Sequence, residues 1–169
     1  WYKGADLSSI DINHGVLTMK VDSEPVNEHN AYTETTLYSS KSIHPLFYTP
    51  KAGDILQVRY KVVSYDKTTN QSLYGTSTVP TITVYGYNDR QNVYKNPAAE
   101  KVDVSKTGYV VKEWTVPTEW TTYDMTKIRI TLRYFVNSTM EIDSIYIGPK
   151  SGAPANDRIQ IGFDNKEAD

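Results

Sequence analysis

Residues 113–148 read E-W-T-V-P-T-E-W-T-T-Y-D-M-T-K-I-R-I-T-L-R-Y-F-V-N-S-T-M-E-I-D-S-I-Y-I-G. Within this stretch Ile128, Ile130, Leu132 and Tyr134 share one parity, and Arg129, Thr131 and Arg133 share the other. Period two over that length describes a strand with one face in a core and one in solvent. The next segment, 140–147, changes parity: Met140 and Ile142 are followed by Ile145 and Ile147. One extra residue near Asp143–Ser144, a β-bulge, would return both pairs of apolar side chains to one face.

Outward from this stretch the pattern repeats. Residues 15–22 place Leu17, Met19 and Val21 on one side, and residues 54–65 place Leu56, Val58, Tyr60 and Val62 on one side. In the latter strand Gln57, Arg59 and Lys61 stand on the opposite side. Residues 81–87 set Ile82 and Val84 against Tyr85 and Tyr87. Segment 109–116 is a further strand, stopped by Pro117. Residues 31–39 favour a strand but are polar on both sides, which suggests an edge or a solvated sheet. Residues 67–78 and 88–99 read as polar, turn-rich loops. No window holds apolar residues at helical spacing behind a capping box. Short strands joined by turns, without helices, predict an all-β, antiparallel β-sandwich.

Composition narrows the functional classes. The 169 residues suit one domain, and 14 Tyr stand against 3 Phe and 3 Trp. Tyrosine suits half-buried sheets and wet binding faces alike. A net charge of −2 offers no basic excess for nucleic acid. No apolar run approaches the roughly 20 residues of a membrane helix, so membrane insertion is not expected. The absence of Cys removes disulfides and thiolate chemistry. Trp1-Tyr2-Lys3-Gly4 does not read as a signal peptide, and the expectation is a mature or excised stretch of a larger chain, monomeric as a module. His14, His29 and His44 have no zinc-binding spacing and read as solvated loop residues. Glu141 and Asp143 would lie roughly 6–7 Å apart on a regular strand. That is within glycosidase range, but no catalytic motif flanks them.

The W-T-T-Y segment at Trp120–Tyr123, followed by the alternating strand and by I-D-S-I-Y-I, resembles the closing strands of jelly-roll carbohydrate-binding modules of secreted bacterial polysaccharide-degrading enzymes. The resemblance implies a jelly roll and a secreted or cell-surface location. It also implies a non-catalytic role, tethering a multidomain protein to a polysaccharide. The sheet face would carry Tyr85, Tyr87, Arg59, Arg129, Arg133 and Gln57. So many arginines would favour an acidic chain, because arginine clamps carboxylates bidentately. The alternative is a structural or adhesive cell-surface sandwich without glycan binding. The resemblance further implies a structural calcium at Asp143, shared with Asp6, Asp11 and, if the tail docks, Asp164; otherwise Asp143 faces solvent or caps a turn. Trp120 would pack at the sandwich edge. The expected organisation is a module over 1–148, a linker-like segment over 149–157, and over 158–169 either an extra strand or the start of a following module.

Overall fold

The computed structural model describes residues 2–3, 9–13, 15–21, 30–36, 49–151 and 159–161. The strands are β1 (Tyr2–Lys3), β2 (Ser9–Asn13), β3 (Val16–Val21), β4 (Asn30–Thr36), β5 (Ile55–Ser64), β6 (Thr81–Asn88), β7 (Val93–Lys95), β8 (Glu100–Lys101), β9 (Val110–Thr115), β10 (Lys127–Arg133), β11 (Ser138–Gly148) and β12 (Ile159–Ile161). One short helix, α1 (Lys67–Tyr74), follows β5, and a 3-10 turn at Thr118–Thr122 precedes β10.

The strands form two antiparallel sheets. The first runs β1-β4-β10-β6-β7, with β8 also on β6; the second runs β2-β3-β11-β5-β9, with β12 on β11. The alternation seen in the sequence sets the core between them. Ile128, Ile130 and Leu132 of β10 and Ile82 and Val84 of β6 are fully buried. They meet Leu17 and Met19 of β3, Leu56, Val58 and Tyr60 of β5, and Met140, Ile142, Ile145 and Ile147 of β11. The result is the expected all-β jelly-roll sandwich.

The bulge lies where the parity change placed it. Ile142 pairs with Tyr60 and Ser144 with Arg59, so the register shifts between them and Asp143 is the extra residue. Both flanking isoleucines thereby stay in the core. Tail strand β12 pairs with Ile145–Ile147 of β11, beyond the residues that β3 covers.

Two expectations change. Strand β4 is not an edge, because it lies between β1 and β10. Its polar side chains are buried all the same: Thr33 is fully buried and Glu34 nearly so. The 67–78 loop contains α1, which lacks an amphipathic signal because polar bonds hold it. The Asp66 carboxylate caps it, accepting from the Thr69 N–H at 2.9 Å and from Thr69 Oγ1 at 2.6 Å.

Trp120 is completely buried, and its Nε1 donates to the Lys95 carbonyl at 2.9 Å. Gly86 makes room for it. A Cβ there would stand 2.5 Å from Met125 Cε and 2.8 Å from Trp120 Cε2. The tryptophan of the W-T-T-Y segment is therefore a structural wedge at the edge of the first sheet.

Candidate functional site

Four consecutive strands of the first sheet, β4, β10, β6 and β7, carry the site on their solvent side. Strand β6 turns Ile82 and Val84 inward, so Tyr85 and Tyr87 project outward. Register then brings Tyr94 of β7 opposite Tyr87, and Glu34 of β4 opposite Arg129 of β10. Cross-strand neighbours on one face lie within contact range. The rings of Tyr87 and Tyr94 stack with centroids 5.3 Å apart, and Tyr85 lies 6.0 Å from Tyr94 and 6.3 Å from Tyr87. Tyr94 is 61% exposed.

Arg129 organises the other half of the face. Its Nε donates to Glu34 Oε2 at 2.7 Å, while its guanidinium lies 3.9 Å from the Tyr32 ring centre and 5.4 Å from that of Tyr87. Burial works against the guanidinium charge, but the Glu34 bond and charge outweigh it and hold the pKa above its ordinary value. Lys127 Nζ sits 4.3 Å from the Tyr87 ring centre and 3.8 Å from Asp89. The arrangement is a row of aromatic surfaces with a paired charge at its centre.

Burial pushes the Tyr87 phenol up to about 12; Arg129 opposes the shift and Glu34 adds to it. A tyrosine in the unfolded chain ionises near its ordinary value of 10.0. Between these values the unfolded state releases a proton that the native state keeps. The contribution is therefore intact below pH 10 and is lost as pH rises toward 12. The melting temperature should fall from pH ~9 to pH ~11, and Tyr87→Phe should make the fall shallower. An identical fall in the variant would mean that other phenols govern it.

Thr131 stands on the same face, opposite Tyr32 and Thr83. It is 8% exposed, and its Oγ1 has no hydrogen-bond partner among the described residues. A buried hydroxyl left unpaired costs about 1–3 kcal/mol. Thr131→Val, which keeps the shape and removes the hydroxyl, should raise the melting temperature by a few degrees, at ~2–4 °C per kcal/mol. A lower melting temperature would mean that the hydroxyl finds a partner in solution.

The residues singled out from the sequence do not share one face. Tyr85, Tyr87 and Arg129 come together. Arg133 ends β10, exposed, with its guanidinium 4.8 Å from the Tyr134 ring centre. Gln57 and Arg59 lie on β5, in the second sheet. Parity says which side of a strand a residue takes, not which sheet the strand joins. On the outer side of the second sheet the charges are matched to one another. Arg59 pairs with Asp143 at 3.0 Å and lies 4.1 Å from the Tyr109 ring centre. Lys61 pairs with Glu141 at 3.2 Å, Tyr109 donates to Glu141 at 3.2 Å, and Gln57 donates to Glu113 at 2.9 Å.

Asp143 thus projects from the bulge toward solvent. Calcium takes six to eight oxygen ligands, and the Arg59 guanidinium already engages the Asp143 carboxylate. Among the described residues no group of three or more His, Asp or Glu is placed to hold a metal. Asp6 and Asp164 lie outside the described residues, as do His14, His29 and His44. Asp11 belongs to β2, but its side chain is not among those described.

A cleft of about 750 Å³ opens at another edge, walled by Pro97, Ala98, Trp114, Glu100, Glu113 and Glu119 among others. Trp114 Nε1 donates to the Ala98 carbonyl across it at 2.9 Å. Lys95 pairs with Glu119 and Lys150 with Glu113.

Sequence reading missed Tyr32, Glu34 and Tyr94. Tyr32 and Glu34 do share parity within β4, and that spacing was a usable signal. Tyr94 belongs to a three-residue strand inside a polar excursion, where no periodicity can be read.

No family model matches the sequence, and no curated protein matches it. Solved structures do match. A xylan-binding module, CBM15, superposes with a TM-score of 0.53 at 9% identity, covering 85% of this chain and 84% of that one. A family 29 carbohydrate-binding module complexed with mannohexaose gives 0.51 at 8% identity, covering 89% and 84%. The CBM27-1 module of Caldicellulosiruptor saccharolyticus, in complex with mannohexaose, gives 0.50 at 12% identity, covering 82% and 81%. The chain has the jelly-roll fold of these carbohydrate-binding modules. At such identities the likeness is one of fold.

Proposed function

We propose that this chain is a non-catalytic carbohydrate-binding module, and that a polysaccharide lies across the outer face of the first sheet. The observation that carries the reading is the cluster of Tyr85, Tyr87 and Tyr94 beside the Tyr32–Arg129–Glu34 group. Aromatic rings cover the apolar faces of sugar rings, and fixed polar side chains answer their hydroxyls. The rings stand on a run of four paired strands, β4-β10-β6-β7, so binding need not order a loop. Modules of the same fold are complexed with mannohexaose or named for xylan. By contrast, Glu141 and Asp143, the carboxylates weighed as a glycosidase pair, are each engaged by a cation of the neighbouring strand β5 in the same sheet.

Linked to a catalytic domain in a secreted or surface protein, a weak site of this kind would act by raising local concentration. The acidic polysaccharide expected from the arginines of the sequence draws little support from this face: exposed Arg133 favours it, but Arg129 is paired with Glu34, and Arg59 lies in the second sheet. Affinity electrophoresis against neutral and acidic polysaccharides tests the proposal. The expected dissociation constant is roughly 1 μM to 1 mM, about −8 to −4 kcal/mol. Retardation by no glycan would favour the structural or adhesive sandwich instead. The calcium proposal has its own test: a chelator should lower the melting temperature, and Asp143→Ala should remove that dependence. An unchanged melting curve in the unsubstituted chain rejects it.

A further inference from the structure

Arg129 uses one edge of its guanidinium on Glu34. The bond runs from Nε to Oε2 at 2.7 Å, and among the described residues Nε is the guanidinium nitrogen that makes a hydrogen bond. A guanidinium carries five N–H donors in a rigid fork. Four of them, on the two terminal nitrogens, are left to a ligand or to water. The plane that holds them is fixed on one side by Glu34 and packed against Tyr32 at 3.9 Å and Tyr87 at 5.4 Å. The side chain is still 26% exposed on the face where the tyrosines lie.

The charge of the pair decides what this fork can read. Glu34 is only 10% exposed in its side chain, so solvent screens its negative charge poorly. A uronate carboxylate reaching the terminal nitrogens of Arg129 would enter the field of Glu34 as well. The attraction of one would be offset by the repulsion of the other. Two adjacent hydroxyl oxygens carry no charge, meet no such repulsion, and match the spacing of the fork.

We infer that the Arg129–Glu34 pair selects a neutral sugar ring by its vicinal diol. The terminal N–H groups of Arg129 donate to two neighbouring hydroxyl oxygens, and Glu34 positions the guanidinium without touching the sugar. The inference rests on the proposed glycan-binding face and adds to it a substrate class, a neutral polysaccharide rather than a uronate polymer.

Calorimetric titration with mannohexaose and xylohexaose as neutral probes, and a hexagalacturonate as the acidic one, tests it. The intact chain should bind a neutral probe more tightly than the acidic one, with little change between low and high salt. Arg129→Lys keeps the charge beside Glu34 but loses the fork, and should weaken the neutral probe about tenfold. Glu34→Gln should weaken the neutral probe several-fold and strengthen the acidic one, a reversal that a merely structural role for Glu34 would not produce. Melting curves on both variants establish that the fold is intact. Tighter, salt-sensitive binding of hexagalacturonate by the intact chain would overturn the inference, as would unchanged neutral affinity in Arg129→Lys. The face itself is tested by Tyr94→Ala and Tyr87→Ala: if both variants bind as the intact chain does, or if none of the probes binds, the underlying reading fails too.

Discussion

Replacing Asn70 with alanine should lower the stability of the domain by about 2–3 kcal/mol, although Asn70 is a single polar residue on a short helix. Asn70 is fully buried. Its Nδ2 donates to the Asp66 carbonyl at 2.7 Å and to the Val136 carbonyl at 2.9 Å, and its Oδ1 accepts from the Val136 N–H at 3.0 Å. The side chain thus pairs with Val136 as a neighbouring strand would, and fastens α1 to the β10–β11 turn. Alanine would leave the Val136 N–H buried without a partner. The two carbonyls lose less, because Ser138 Oγ still donates to Val136 and the Asn70 N–H still donates to Asp66. A loss of this size in a chain of this length corresponds to a melting temperature lower by about 4–12 °C. Gln71→Ala, on the same helix but bonded in an exposed position to the Thr76 carbonyl, should stay within about 0.5 kcal/mol. Equal melting temperatures for the two variants would show that α1 does not secure the turn.

That bond also explains why the helix was hard to read. Helices are found in a sequence through apolar periodicity, and α1 has none because side-chain bonds at Asp66 and Asn70 take its place. The sandwich was legible for the opposite reason. In β5, β6 and β10 every second residue is apolar, and one buried face is the simplest consequence. Even the bulge could be read, since Ile142 and Ile145 cannot both face the core of a regular strand.

The site was legible only in part. Tyr85, Tyr87 and Arg129 follow from local alternation alone. Arg59 and Gln57 alternate just as clearly, yet β5 pairs with β11 and β9, so they look out from the opposite side of the molecule. Arg59 is answered by the Asp143 carboxylate, and Gln57 by a hydrogen bond to Glu113. Glu34 is a partner across a pairing that joins residues 95 positions apart in sequence. No local pattern encodes that neighbour. It exists only once β4 and β10 lie side by side, and it changes the meaning of Arg129 from a free cation to half of a neutral pair.

The largest effect on binding should come from the tyrosine cluster, and Tyr94→Ala is its cleanest probe. Tyr94 is 61% exposed, so truncation removes little from the core. Its ring nevertheless extends the platform, stacked at 5.3 Å on Tyr87 and lying 6.0 Å from Tyr85. An aromatic anchor stacked on a sugar ring can be worth ~2 kcal/mol, about 30-fold in affinity. Tyr94→Ala should therefore lose about that factor for any polysaccharide the intact chain retains, with the melting temperature nearly unchanged. Tyr87→Ala should lose at least as much. It should also cost some stability, because Tyr87 packs against Lys127 and Arg129 and is partly buried. The contrast between the two variants separates platform from scaffold. If Tyr94→Ala bound normally while Tyr87→Ala did not, the loss would trace to a disturbed Arg129 rather than to stacking. If both bound normally, the polysaccharide would have to lie elsewhere, and the 750 Å³ cleft beside Trp114 would be the next surface to test.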